Sequence, residues 1–429
     1  MTRLPPDRML RTLFDAALRA VSADRCLAPH LPEPPRGRTV IVGAGKAAAE
    51  MARAVERRWP GPVAGIVVTP YRHAVPCERI EVVEAAHPVP DEAGMAAARR
   101  ALDAVKGLTA DDLVLALISG GGSALLALPV AGVTLADKQA VTRALLRSGA
   151  AIGEINTVRK HLSAIKGGRL AMAAHPARIV TLAVSDVPGD DPATVASGPT
   201  LADATTLARA RDILSAFGIA PPPAVAAALA DPANETPKPG DPAFAADGVA
   251  VIARARDALD AAAAAARDLG LAPTILGGDI EGEARDVARA HAALAIGTAR
   301  TVSDRPRILL SGGETTVTIR GDGGAGGRNT EYLLALALAV EGRADIAAIA
   351  CDTDGIDGNA QAAGAVLRPD SMARARAAGL DPAAMLAQHR SATLFAALGD
   401  LVETGPTRTN VNDFRAILIS SGTGAGPDL

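Results

Sequence analysis

The chain is 429 residues long, with 49% hydrophobic, 21% charged and 2% aromatic residues and a formal net charge of -3. That length suits about two or three domains with real cores, and the scarcity of rings excludes base-stacking platforms while the charge excludes a general attraction to nucleic acid or anionic membranes. No run of about eighteen apolar residues occurs, so no membrane-spanning helix is expected, and Cys26, Cys77 and Cys351 fit neither a disulfide framework nor a metal spacing, which points to a reducing, cytoplasmic setting.

In chain order, apolar runs at 39–42, 65–69, 113–118, 178–184, 249–253, 273–276, 307–310 and 345–350 predict buried strands. Amphipathic or Ala-rich stretches at 46–58, 92–105, 257–269, 283–299 and 329–339 predict helices. Alternation of this kind means an α/β fold with largely parallel sheets. Seven prolines between Pro221 and Pro242 mark the best linker, which places an N-terminal α/β domain at 1–240 and a C-terminal α/β domain at 241–429. The strand-like 414–419 lies in a last segment, about 402–429, that could pack back onto the first domain.

The first motif is Thr39-Val-Ile-Val-Gly43-Ala-Gly45-Lys46-Ala-Ala-Ala-Glu50, a strand, a glycine turn and a helix. It fits the permissive dinucleotide pattern G-x-G-x-x-A, but the next strand ends in Pro70-Tyr71-Arg72 with no acidic residue for a ribose hydroxyl. NAD loses support, whereas NADP could still use Arg72. Nor is this a Walker A loop, because Lys46 is followed by Ala47. Lys46 at a helix start is either an ammonium for a transferring phosphate or a solvated surface lysine. The chain holds only six lysines among its 44 basic residues, which favours a need for a compact point charge here.

Ser119, Gly120, Gly121, Gly122 and Ser123 follow the next apolar strand. They read as a nest of backbone N–H groups for phosphate or as a plain strand-to-helix turn. From Gly153 to Arg169, Asn156 accompanies Arg159, Lys160, Lys166 and Arg169, enough cationic charge for a small carboxylate or phosphate. Asp186, at the carboxyl end of a strand, is a catalytic or metal candidate, with an Asx turn as the bland alternative. His87 and His161 are isolated and are not read as metal ligands.

In the second half, Gly321-Asp-Gly-Gly-Ala-Gly-Gly-Arg328-Asn329 would bring glycine amides, a helix N-terminus and a guanidinium to one anion. Asp352-Thr-Asp354-Gly-Ile-Asp357-Gly358 sets three carboxylates after an apolar run. The EF-hand pattern fails at Ile356 and Ala363, but Mg²⁺ needs fewer protein ligands. An anion cradle with a cation site suits phosphoryl transfer. Leu117-Ile-Ser-Gly-Gly-Gly-Ser123 and Leu309-Leu-Ser-Gly-Gly-Glu-Thr315 also echo one another, by shared ligand chemistry or by duplication.

Together with His87-Pro-Val-Pro90, Asn156-Thr-Val-Arg-Lys160, Ser185-Asp-Val-Pro-Gly-Asp190 and Thr404-Gly-Pro-Thr407 to Asn410-Val-Asn-Asp413, these segments make nearly the whole chain resemble the class II glycerate kinases with a C-terminal MOFRL domain. The resemblance implies two Rossmann-like α/β domains with an interdomain active-site cleft. It also implies ATP-dependent phosphorylation of D-glycerate to 2-phospho-D-glycerate, with Lys46 and Arg328 as the main catalytic residues. Joined to the motif reading, it assigns ATP to Gly43, Gly45, Ser119–Ser123 and Asn329, and Mg²⁺ to Asp354 and Asp357. It assigns the glycerate carboxylate to Asn156, Arg159 and Lys160, and proton acceptance to Asp186. No nucleic-acid or membrane partner is expected, and the protein would be a monomer or homodimer. An NAD(P)H-dependent hydroxypyruvate reductase and a non-catalytic glycerate or nucleotide sensor are the alternatives.

Overall fold

A computed structural model describes residues 4–301, 303–319 and 321–420. The chain divides into two compact units: Ala23–Ala253, and the described residues on either side of that span.

In the unit Ala23–Ala253, strands β1 (Thr39–Ala44), β2 (Val63–Pro70), β3 (Ile80–Ala85), β4 (Leu113–Ile118), β5 (Arg178–Val184) and β6 (Gly248–Ala253) form one sheet in the order β3-β2-β1-β4-β5-β6. Every pairing is parallel. All six residues of β4 are buried, because helices cover both faces of such a sheet and a continuous apolar run replaces the alternating one. The helix Ala48–Arg58 turns Ala48, Ala49, Met51, Ala52, Ala54 and Val55 inward; short side chains there let it lie close to the strands. A separate apolar cluster of Val141, Leu145, Ile155, Val158, Leu207 and Ile213 fixes the helix Ile152–His161. The strand order reverses between β1 and β4, so the loops leaving those two strands open a crevice at their carboxyl ends, where α/β sheets bind ligands. Because β6 pairs with β5, the unit runs through Ala253 and past the break expected near 240.

The second unit holds a six-stranded sheet of β7 (Ala272–Gly277), β9 (Arg307–Gly313), β11 (Ile346–Asp352), β12 (Gly364–Leu367), β13 (Leu401–Val402) and β14 (Asp413–Ile419), ordered β13-β12-β11-β14-β9-β7. A short parallel pair, β8 (Gly282–Glu283) with β10 (Thr315–Thr316), stands beside it. Only β7 and β9 run parallel in the large sheet; the other neighbours are antiparallel. The expectation of a largely parallel sheet is therefore corrected for this unit. A buried strand such as β11 is apolar on both faces whichever way its neighbours run, so its sequence carries no direction. The connection carries it: the chain returns from β11 to β12 without a crossover helix.

β14 lies between β11 and β9, so 413–419 is a central strand of this unit's own sheet; residues 421–429 of the expected tail lie outside the described residues. The helix Pro6–Ala20 belongs here too, although it precedes the first unit in sequence. It buries Leu10, Leu13, Phe14 and Ala17, and the Phe14 and Phe414 rings lie 5.6 Å apart.

Candidate active site

In the unit Ala23–Ala253 the loops after β1 and β4 are locked together at the crevice. Lys46 N donates to Gly120 O at 2.9 Å, and Ala47 N donates to the buried Ser119 Oγ at 3.0 Å. Gly45, at φ +133°, fits because nothing larger can: a Cβ would lie 2.1 Å from Ser119 Oγ and 2.4 Å from Ser119 O. The amides that a dinucleotide pyrophosphate would take at this helix start are thus committed to the Ser119 turn. The free donors lie one step along. Gly121 is left-handed (φ +82°), and among the described residues the N–H groups of Gly120 and Gly121 meet no protein acceptor, the arrangement of an anion nest. A Cβ on Gly121 would sit 3.2 Å from the His87 ring and 3.6 Å from Lys46 Cγ. The His87 ring and the stem of Lys46 therefore lie against Gly121, and the sequence reading had set His87 aside.

The cradle continues through side chains. Ser123 Oγ lies 2.8 Å from Ser197 Oγ, and Ser197 Oγ donates to Asn156 Oδ1 at 3.2 Å. Ala196 and Ser197 both hold positive φ, an unfavourable conformation for side-chain-bearing residues that clusters at functional sites. Gly122 packs under them, where a Cβ would meet Ala196 Cβ at 2.6 Å. Asn156, expected at the glycerate carboxylate, is thus joined through Ser197 to the Ser123 side of the cradle. Its helix neighbour Lys160 is turned away from that duty: its ammonium lies 3.4 Å from the buried Asp203 carboxylate. Arg159 is half-buried, and burial lowers its pKa from the ordinary value; among the described residues no carboxylate pairs with it. Asp186 follows β5 at the same end of the parallel sheet, one strand beyond the Ser119 turn.

In the second unit, Arg328 opens the helix Arg328–Ala339 and is held on three edges. Its Nε donates to Asp413 Oδ1 (2.7 Å), NH2 to Asp352 Oδ2 (2.7 Å) and NH1 to Glu314 Oε1 (2.6 Å). Burial alone would discourage its charge, but the carboxylates of Asp413, Asp352 and Glu314 outweigh that and hold its pKa above the ordinary value. Asn329, expected at the nucleotide, is fully buried and works inward, its Nδ2 donating to Asp413 Oδ1 at 2.8 Å.

The acidic run is divided in role. Asp357 Oδ1 accepts from Asn329 N (2.9 Å), and Oδ2 accepts from Thr330 N (2.9 Å) and Thr330 Oγ1 (2.8 Å). Asp357 is therefore the N-terminal cap of the Arg328 helix, and its expected place as a metal ligand is corrected. Asp354 Oδ1 accepts from Ile356 N at 2.8 Å in an Asx-type turn. Among the described residues no three His, Cys, Asp or Glu side chains converge as a ready metal cage, and no helix is long and apolar enough to cross a membrane. Sequence reasoning also missed Glu331, His389 and Arg285, whose contacts span 46 to 104 residues and leave no local signal.

Residues 9–230 match a domain of unknown function, DUF4147, and residues 307–413 match the MOFRL family. The chain is 56% identical to a putative hydroxypyruvate reductase of Agrobacterium vitis, over 96% of this chain and 94% of that one. It is 39% identical to the D-glycerate 2-kinase of Thermotoga maritima, over 92% and 94%. A crystal structure of glycerate kinase from Thermotoga maritima superposes with a TM-score of 0.87 at 38% identity, covering 96% of this chain and 99% of the other. With agreement in sequence and fold over nearly its whole length, the chain belongs to the glycerate kinase family that carries a C-terminal MOFRL domain.

Proposed function

We propose that this protein is an ATP-dependent glycerate kinase that converts D-glycerate to 2-phospho-D-glycerate in the cytoplasm. The observation that carries the reading is the division of amides at the β1–β4 crevice. The N–H groups of Lys46 and Ala47 are spent on the Ser119 turn, while those of Gly120 and Gly121 stay available beside the Lys46 side chain. Such a site suits a compact phosphoryl group with an ammonium at its side, and it takes from a dinucleotide the helix-start amides its pyrophosphate needs.

Phosphoryl transfer asks little covalent chemistry of a protein and much positioning. The Gly120 and Gly121 amides would hold phosphate oxygens and Lys46 would neutralise the transferring group; within its own unit, Arg328 would offer a planar cation to an anionic ligand. Arg159 is the partner assigned to the glycerate carboxylate. Asp186 would accept the C2 hydroxyl proton as the oxygen attacks the γ-phosphorus, ADP leaves, and the proton is released to solvent. The ATP complex would bring Mg²⁺, which would supply neutralisation of phosphate charge. With Asp357 committed to a helix, Asp354 is the one carboxylate retained here as a candidate for reaching that ion.

The test pairs ³¹P NMR of purified protein with ATP, Mg²⁺ and D-glycerate against NAD(P)H oxidation with hydroxypyruvate. ADP together with a 2-phosphoglycerate resonance is the expected result. A 3-phosphoglycerate resonance would refute the stated regiochemistry, and pyridine-nucleotide oxidation without phosphoryl transfer would establish the activity that the name of the Agrobacterium vitis relative describes.

A further inference from the structure

A concavity of about 310 Å³ lies entirely within the MOFRL unit, and of its lining only Arg328 has been given a role above. One wall is backbone: Gly324, Gly326 and Gly327 line it. They are glycine because their other side is packed shut. A Cβ on Gly324 would lie 2.4 Å from Arg390 Cγ, on Gly326 2.6 Å from Ser391 Oγ, and on Gly327 2.4 Å from Asp357. Asn359 clips this strip, accepting from Gly326 N at 2.8 Å and donating to Gly324 O at 3.1 Å. Val317 and Ile319 also line the space, and Ile319 is 64% exposed, a branched apolar side chain that the unit itself leaves uncovered.

The remaining lining is polar and built. Glu331 and His389 border the concavity and are 2% and 5% exposed. His389 Nδ1 lies 3.0 Å from Glu331 Oε1, and Arg285 Nε donates to the same oxygen at 2.7 Å. Arg285 also donates to Leu386 O at 2.6 Å. The glutamate charge is thus matched, the imidazole is oriented, and both are held away from water. Arg328, one helical turn before Glu331, completes the lining.

A glycine strip with branched aliphatics, a fixed imidazole and a guanidinium describes a slot for a planar heteroaromatic ring that carries an anionic tail. We propose that this concavity takes the adenine nucleoside of the donor nucleotide, with its phosphates on the Arg328 side. The inference rests on the kinase reading and adds to it the residues that select the nucleoside: Val317 and Ile319 by apolar contact, and His389 by the ring it sets at the border of the space. Such pockets combine apolar walls with a few fixed polar groups.

The experiment is photolabelling of the full chain with 8-azido-ATP and Mg²⁺, mapped by peptide mass spectrometry, alongside equilibrium binding of a fluorescent N-methylanthraniloyl-ADP. Adducts within 315–327 or 386–392, suppressed by excess ATP, are expected. Ile319→Asp places a charge on an exposed wall without touching the core. It should weaken ADP binding about tenfold and raise KM for ATP to a similar extent, with KM for D-glycerate unchanged. His389→Asn keeps a residue that tolerates the positive φ of this position and should lose binding likewise. Adducts elsewhere, or full ADP affinity in Ile319→Asp, would overturn the site even if glycerate is phosphorylated. Preferential binding of NADPH at these residues would also overturn it. Labelling here in a protein that fails to phosphorylate glycerate would keep the nucleotide site and sink the kinase reading alone.

Discussion

Arg328 and Asp413 are joined by a 2.7 Å hydrogen bond from Nε to Oδ1 across 85 residues of sequence. Asp413 is fixed from every side: Oδ1 also accepts from Asn329 Nδ2, and Oδ2 receives Arg415 NH2 and Thr315 N. Arg328 is therefore anchored through an immobile carboxylate on its Nε edge and the buried Asp352 on NH2, which leaves NH1, held by Glu314, as the edge facing solvent.

Arg328→Ala serves two functions badly at once. Removing one positioned donor from a transition state costs about 10²–10³ in kcat. The structure adds a fold penalty, because Asp413 and Asp352 would be left buried without their cation; breaking a buried pair costs about 3–5 kcal/mol. Arg328→Lys restores a charge but no planar fork, so it should regain part of the stability in urea unfolding and little of the turnover. A lysine variant with kcat within about threefold of the parent would sink the proposed role of the guanidinium geometry.

Glu314 is the displaceable partner. Its side chain is 49% exposed while Asp352 and Asp413 are buried, so an incoming phosphate would reach Arg328 by replacing Glu314 at NH1. Glu314→Gln weakens that competitor and should lower KM for ATP about three- to tenfold, a change of roughly 0.7–1.4 kcal/mol. Steady-state kinetics at fixed glycerate would measure it. An unchanged or higher KM would mean that Glu314 helps to orient Arg328 instead of standing in the way.

Local signals carried the first unit well and the second less well. The glycine turn after β1 and the Ser119 turn after β4 each announce themselves as a strand ending in glycines, and their neighbourhood follows from parallel strand order. Asp357 was misread because the helix amide it caps, Asn329 N, lies 28 residues earlier, so the sequence around it shows only a carboxylate among glycines. Lys160 was overvalued for the same reason: Asp203, its partner, lies 43 residues away. His87 offers only a solitary histidine until the fold sets its ring against Gly121. The Glu331–His389–Arg285 cluster has no pattern at all in one dimension.

At the crevice, catalysis and stability should separate. The Lys46 side chain is half-buried and lies outside the apolar clusters, so Lys46→Ala should lose about 10²–10³ in kcat with a smaller fall in Tm than Ser119→Ala. Ser119→Ala strands the buried Ala47 N–H, which costs about 1–3 kcal/mol, and it loosens the loop that presents Lys46. Thermal unfolding and kcat measured on both variants would check this. A Lys46→Ala protein that unfolds as readily as Ser119→Ala, or one that still turns over normally, would contradict the assignment.

The last prediction concerns pH. Lys138 is buried, and its ammonium donates to Leu162 O at 3.3 Å. Burial, helped by the nearby charges of Arg159 and Arg169, lowers its pKa to about 7; in an unfolded chain it would be about 10.4. Between those values the unfolded state binds more protons than the folded state, so this residue's contribution to stability rises with pH. The contribution is fully present above the unfolded value and is lost as pH falls through about 7. Lys138→Met keeps the buried volume and removes the titration, so urea unfolding at pH 7 and pH 9.5 should show a smaller gain on alkalinisation than the parent chain shows. An equal gain in both proteins would mean that the Lys138 ammonium stays charged in the fold, held by the carbonyl of Leu162 against its basic neighbours.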